Sequence, residues 1–183
     1  MILGKNVRLR APERADIPRW VEWLNDPEVI ADLDIYYPLG LEDENAWFDA
    51  MLKRPMEEHP LAIEVKGPKG WQLAGNISFH QVDWRNASAE VGIFIGNREL
   101  WNKGIGTEAM RMLVKHGFET MNLHRIWLRV HASNERAIRC YEKAGFIKEG
   151  TQRDGAFIRG KYLGVVFMSI LQTEWKLDMA HEV

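Results

Sequence analysis

Leu100-Trp101-Asn102-Lys103-Gly104-Ile105-Gly106-Thr107-Glu108-Ala109 lies between two segments of different period, and its reading decides the rest of the chain. Before it, Glu90-Val91-Gly92-Ile93-Phe94-Ile95-Gly96 has the composition of a strand. After it, Ile105, Ala109, Met112 and Leu113 recur at helical spacing, with Glu108, Arg111 and Lys115 turned elsewhere. Two glycines one residue apart leave peptide N–H groups unshielded. A helix that begins there aims its free N–H groups and its positive dipole end the same way, which suits a phosphate or pyrophosphate. The same pattern also makes a tight turn that lets backbones approach. Alone, the stretch leaves both readings open.

A dinucleotide site of the Rossmann kind is excluded. Gly104-Ile-Gly106-Thr-Glu-Ala109 fits its glycine pattern, but that site needs the glycines directly after the first strand and an acidic residue about twenty positions on. Here residues 96–103 intervene after the strand, and His124 and Arg125 occupy the later position. A phosphate hydrolase of the P-loop type is excluded as well, because no Gly-x-x-x-x-Gly-Lys-Ser/Thr occurs.

The second half of the chain narrows the choice. Ser133-Asn134-Glu135-Arg136-Ala137-Ile138-Arg139-Cys140-Tyr141-Glu142-Lys143-Ala144-Gly145-Phe146 predicts a short helix, capped by Ser133 or Asn134 and ended by Gly145. With Gly104-Ile-Gly106-Thr-Glu-Ala109 it resembles the GNAT superfamily of N-acetyltransferases. The acetyl-CoA loop of that family reads Gln/Arg-x-x-Gly-x-Gly/Ala, and a later Asn-x-x-Ala-x-x-x-Tyr-Glu-Lys-x-Gly-Phe marks the next helix. Trp101 stands at the first loop position, as in the branch of ribosomal-protein alanine and spermidine acetyltransferases, and Asn102 stands where that branch usually has Gly. The resemblance runs from Val7 to Trp175. It implies acetyl-CoA as cosubstrate, its pyrophosphate held by Asn102, Lys103, Gly104, Ile105, Gly106 and Thr107. It further implies cofactor contacts from Phe94 and Ile95 on the strand and from Asn134 and Lys143 on the later helix.

Composition sets outer limits. A chain of 183 residues with 46% hydrophobic content can bury a full core. A formal charge of −2 gives no basic field for nucleic acid. The single cysteine, Cys140, cannot form an internal disulfide and fits a reducing compartment as a small packing residue. No apolar run reaches membrane-spanning length, and the start lacks a signal-peptide pattern. The expectation is a cytoplasmic protein with no membrane or nucleic-acid partner. The six histidines form no metal-ligand pattern, so no metal is expected.

Along the chain, residues 5–11 alternate as a first strand that Pro12 ends. Asp16 reads as an N-cap with Pro18 in the first helical turn, over a stripe of Ile17, Trp20, Val21 and Leu24. Residues 25–40 form a loop and residues 41–53 a second helix carrying Trp47, Phe48 and Met51. The acidic Asp32, Asp34, Glu42, Asp43 and Glu44 either favour the helix start or, in the family's terms, form an amine-attracting rim over the acceptor groove. Residues 61–66 and 71–82 pair as a hairpin across Gly67-Pro68-Lys69-Gly70. Residues 125–130 form a strand, and residues 146–152 and 161–171 pair across a loop holding Asp154-Gly155. The fold class is α+β: one three-layer domain over residues 1–183, with a mixed, mainly antiparallel sheet and helices on both faces. The resemblance adds that the strands before the glycine loop and before the Asn134 helix splay apart to admit the pantetheine arm.

Acetyl transfer to an amine requires a deprotonated acceptor, a polarised carbonyl and a protonated leaving thiolate. Asn134 and Tyr141 lie about 10 Å apart along a helix and on nearly one face. By spacing alone Tyr141 reads either as a packing tyrosine or, being a phenol protonated at neutral pH, as an acid; the resemblance implies the acid, the role the family gives its matching tyrosine. Glu90 is the candidate base from the strand, with His80 and His131 as alternatives because imidazole titrates near neutrality. The family's splayed strand implies that an N–H near Phe94 or Ile95 polarises the carbonyl. The leading expectation is an acetyl-CoA-dependent N-acetyltransferase acting by direct transfer to a primary amine. Its acceptor is a protein N-terminal amine or a small amine, with polyamines and aminoglycosides kept open. Gly160-Lys161-Tyr162 and Met168-Ser169-Ile170-Leu171 favour the ribosomal-protein-like branch in family terms. A non-catalytic acetyl-CoA sensor is the alternative from another class, and an exposed C-terminal strand edge makes a homodimer the expected assembly.

Overall fold

Val7 and Leu9 are wholly buried while Arg8 and Arg10 between and after them are not, the period of two that a half-buried strand imposes. The computed structural model describes residues 1–175. In chain order the elements are β1 (Ile2–Leu3), β2 (Val7–Arg10), α1 (Ile17–Leu24), α2 (Leu41–Met51), β3 (Leu61–Gly67), β4 (Gly70–Asp83), β5 (Ser88–Ile95), α3 (Ile105–Glu119), β6 (Arg125–His131), α4 (Glu135–Lys143), β7 (Ile147–Ile158) and β8 (Lys161–Leu171). The strands form one sheet in the order β1-β2-β3-β4-β5-β6-β8-β7. Every pairing is antiparallel except β5 with β6, because α3 carries the chain back to the same end of the sheet between them. This is the mixed, mainly antiparallel sheet expected of the sequence.

Two apolar clusters cover opposite faces. Ile105, Ala109, Met110, Leu113, Val114 and Phe118 of α3 pack with Ile77, Phe79, Ile126, Leu128, Met168 and Ile170 of the strands. On the other side, Ile17, Trp20 and Trp23 of α1 pack with Phe48 and Met51 of α2. Strand β5 serves both: Ile93 and Ile95 lean on the first cluster and Phe94, between them, on the second.

Three local details depart from the sequence reading. Asp16 precedes α1 but makes no side-chain cap to it. Its carboxylate instead receives Arg10 at 2.7 and 2.8 Å and the N–H of Glu13 at 2.8 Å, because a mostly buried guanidinium makes the stronger, charge-assisted bonds. The turn between β7 and β8 is at Arg159 and Gly160, both with positive φ (49° and 80°), so that Ile158 pairs with Lys161 across a two-residue turn. Asp154-Gly155 is instead a bulge: Gln152 pairs with Val165 and Ala156 with Leu163, leaving residues 153–155 opposite Gly164 alone. Finally, β6, whose composition predicts burial on both faces except at its arginines, also leaves Trp127 half-exposed.

Candidate active site

The parallel pairing of β5 with β6 is short. Ser88, Ala89 and Glu90 pair with Arg125, Ile126 and Trp127, and beyond Glu90 the two strands diverge while each keeps its other neighbour. The gap is a V whose fork is closed by an ion pair, Arg129 Nε to Glu90 Oε1 at 2.8 Å and Nη2 to Oε2 at 3.3 Å. Backbone polarity along the gap follows from the other edge of β5. The Gly96 N–H donates to Ala74 O at 2.9 Å, so by antiparallel alternation Phe94 turns its N–H and C=O to β4 and Ile95 turns its own into the gap. The indole N–H of Trp101 takes the Ile95 carbonyl from that side at 2.7 Å. Of the two amides expected to polarise a carbonyl, that of Ile95 faces the gap, whereas Phe94 contributes its side chain to the wall.

The glycine loop closes the wide end of the V. Asn102 adopts φ +60° and Gly104 φ +80°, both left-handed. Asparagine is the non-glycine residue that tolerates this region best, which accounts for Asn102 where the related branch has glycine. A Cβ on Gly104 would meet nothing within 4 Å, whereas one on Gly106 would meet Cys140 Sγ at 3.3 Å. Gly104 therefore opens the loop to a ligand and Gly106 brings α3 against α4, so both readings of the glycine pair apply to different residues. The first intrahelical bond is Glu108 N–H to Gly104 O, which leaves the N–H groups of Ile105, Gly106 and Thr107 without helical partners at the positive end of α3. Trp101 locks the loop to its surroundings, its ring lying 3.6 Å under the Arg136 guanidinium of α4.

Helix α4 supplies the second half of the site. Asn134 is its cap, the side-chain oxygen accepting from Ala137 N–H at 3.0 Å, which leaves the amide NH2 as a donor toward the cleft. At the other end Gly145 (φ +98°) terminates the helix, with Phe146 N–H on Tyr141 O and Gly145 N–H on Glu142 O, both 3.0 Å. That termination fixes the last turn, where Tyr141 is buried against Phe146 and the sheet. Burial raises the phenol well above its ordinary value, so it is a proton donor across the neutral range. Burial likewise raises the Cys140 thiol, to which the Thr107 hydroxyl donates at 3.4 Å, and the side chain packs the loop against the helix.

These parts enclose one cavity of about 1400 Å³. Of the residues singled out from the sequence, Tyr141, Glu90, Phe94, Ile95, Asn102, Gly104, Ile105, Gly106, Thr107, Asn134 and Lys143 all line it, while Lys103 is exposed on the loop outside the lining. Their convergence from β5, α3 and α4 fits a long, thin, phosphorylated ligand with one end at bare amides and the other near a phenol. The arm beyond Tyr141 has a floor of which sequence reasoning named His80, Glu90 and Phe94 but not Asn76, Ser78 or Gly92. Asn76, Ser78 and His80 of β4 and their cross-strand partners Phe94, Gly92 and Glu90 of β5 present one face to the cavity. The signal was present in the alternation of polar residues with Ile77 and Phe79. Asp32, Leu33 and Asp34 from the loop between α1 and α2 cover this floor.

A sheet split between two parallel strands, with a helix N-terminus at its mouth and a buried phenol inside, defines an acyl-CoA-dependent transferase. A model of the GNAT acetyltransferase domain matches residues 6–147, and the chain belongs to that family. Spermidine N(1)-acetyltransferase of Escherichia coli K12 is 29% identical over 182 residues, 93% of this chain and 88% of that protein. YdaF of Bacillus subtilis, named provisionally as a ribosomal N-acetyltransferase, is 38% identical over 104 residues, and that match spans 57% of this chain and 56% of YdaF. The structure of spermidine N-acetyltransferase from Vibrio cholerae in complex with CoA and spermine superposes with a TM-score of 0.84 at 25% identity, covering 94% of this chain and 99% of that one. The chain is an N-acetyltransferase that takes its acetyl group from acetyl-CoA. Among the described residues no helix is long and apolar enough to cross a membrane.

Proposed function

We propose that this chain forms one cytoplasmic N-acetyltransferase domain whose acceptor is a small polycationic amine of the polyamine kind. The observation that carries this reading is the group of carboxylates in the cavity lining, Asp32, Asp34, Glu58 and Glu90, which outnumber Arg54 and the Glu90-paired Arg129 beside His80. A molecule with several ammonium groups meets such a lining with one group at the thioester and the others on carboxylates. Relatives that act on spermidine and align over nearly the whole chain support it. In the mechanism, bound acetyl-CoA supplies the acetyl thioester. Asn102, Gly104, Ile105, Gly106 and Thr107 hold its phosphates, with Asn134 and Lys143 alongside, and the Ile95 N–H donates to the carbonyl oxygen. Tyr141 protonates the departing sulfur, and Glu90 holds a negative charge in the path of the incoming ammonium. Transfer is direct, within a ternary complex.

The test is steady-state thiol release with spermidine, spermine, putrescine, an aminoglycoside and peptides bearing ribosomal-protein N-termini. The reading predicts that kcat/KM for spermidine or spermine exceeds that for the peptides by at least about 100-fold, or ~3 kcal/mol. Preference for the peptides would replace it with the second reading, a protein N-terminal amine, which the match to YdaF favours. For the assembly, the exposed outer edge of β7 supports a homodimer, which light scattering of the eluted protein tests by mass.

A further inference from the structure

We infer that the proton of the incoming ammonium is taken by the Ser78–His80 pair on β4 and that Glu90 acts as its electrostatic support; this rests on the N-acetyltransferase reading. The notion that Glu90 is the base meets a geometric difficulty. Both of its oxygens already face the Arg129 guanidinium, at 2.8 and 3.3 Å, and an acceptor proton would have to displace that fork. Ser78 and His80 carry no such partner. Ser78 Oγ lies 3.1 Å from His80 Nε2, and both residues line the acceptor arm on the same face as Glu90. Gly92, opposite Ser78, keeps the approach open: a Cβ there would stand 3.0 Å from His80 Nε2.

The proton path balances as follows. The Ser78 hydroxyl donates its hydrogen to the neutral imidazole at Nε2 while its oxygen receives one hydrogen from the ammonium. The amine is left neutral with a lone pair, His80 becomes an imidazolium, and Ser78 is unchanged. The amine nitrogen then bonds to the acetyl carbon and the carbon–sulfur bond breaks. Tyr141 gives its proton to sulfur, the second proton of the amine nitrogen restores Tyr141, and His80 releases its proton to solvent. The groups that face His80 suit both states. Burial holds the imidazole below its ordinary value, which keeps it neutral and receptive at pH 7. Glu90 from β5 and Glu58 from the segment before β3 stabilise the imidazolium, while Arg54 and Arg129 oppose it and help to discharge it.

The decisive experiment measures kcat against pH for the wild type, H80Q, S78A and E90Q at saturating acetyl-CoA and amine, with CoA affinity by calorimetry for each. The wild type is expected to lose rate tenfold per pH unit on an acidic limb below about 6.5, the ordinary imidazole value. H80Q is expected to lose about 10²–10⁴-fold at pH 7.5 and to show no such limb. S78A is expected to lose less and keep the limb; E90Q is expected to keep the limb but move it to lower pH, because Glu90 raises His80. A limb that survives in H80Q, or that vanishes in E90Q, overturns the inference. Should H80Q lose CoA binding and so its fold, H80N and S78A decide by the same limb. A wild type that binds CoA but releases no thiol with any amine instead defeats the acetyltransferase reading itself.

Discussion

Arg129 on β6 reaches across the opening of the sheet to Glu90 on β5, and their 2.8 Å contact sits where main-chain pairing between the two strands stops. The pair replaces the backbone hydrogen bonds that the divergence forfeits, and both residues line the cavity. Loss of one partner leaves the other charge poorly compensated. Arg129→Ala is expected to lower stability by about 1 kcal/mol, small because the guanidinium is half-exposed. It is also expected to raise KM for the amine more than it changes kcat; a urea titration and steady-state kinetics check both.

Trp101 joins three elements through one ring, by its hydrogen bond to Ile95 O, its stack on Arg136 and its place in the glycine loop. Trp101→Ala is expected to weaken CoA binding by about 10-fold or more, since ~1 kcal/mol of cation–π contact and a hydrogen bond of similar size both hold the loop. Trp101→Phe keeps the stack and is expected to recover roughly half of that free energy. Isothermal calorimetry with CoA measures the series.

Asn134 caps α4 and, in the proposed function, also holds CoA, and substitutions can separate the two. Asn134→Ala is expected to cost about 1 kcal/mol of stability through loss of the cap and also to weaken CoA binding. Asn134→Asp keeps an oxygen for the Ala137 N–H but removes the amide donor and adds negative charge beside the phosphates. It should therefore retain stability and still weaken CoA binding, as thermal unfolding and calorimetry on the same samples would register.

Glu44 of α2 is buried, and burial raises its carboxyl pKa. The sign is fixed by linkage. Below the unfolded value, near 4.5, both states are protonated and nothing is lost; as pH rises through the raised folded value, the native state must ionise at a cost the unfolded state does not bear. Glu44→Gln is expected to raise Tm by about 2 °C at pH 7 and to have no such effect at pH 4. Calorimetric melts at the two pH values test this.

The glycine loop, the two helices it serves and the positions of the strands along the chain were legible because each rests on local chemistry: period, caps and positive-φ residues. Asn134 and Gly145 bound α4 as their residue types predict. What was not legible depended on partners distant in sequence. Asp154-Gly155 carries a strong turn signal, yet the ladder with β8 continues past it and absorbs Asp154 (φ +50°) as a bulge. Asp16 has the chemistry of a cap, yet Arg10 from a neighbouring strand claims it. Alternation along β4 sets Ser78 beside His80, but only the pairing of β4 with β5 sets it opposite Gly92. The glycine pair was ambiguous for a related reason: packing on Cys140, invisible in the sequence, is what Gly106 provides.

The account turns on the Tyr141 phenol as the group that protonates the leaving sulfur. Because burial raises its pKa, the wild-type rate should show no decline assignable to it below about pH 10. The most direct measurement is kcat of Tyr141→Phe beside its CoA dissociation constant. The account predicts a fall in kcat of about 10²–10³-fold with CoA affinity changed by less than about threefold. An unchanged kcat with CoA still bound would contradict it.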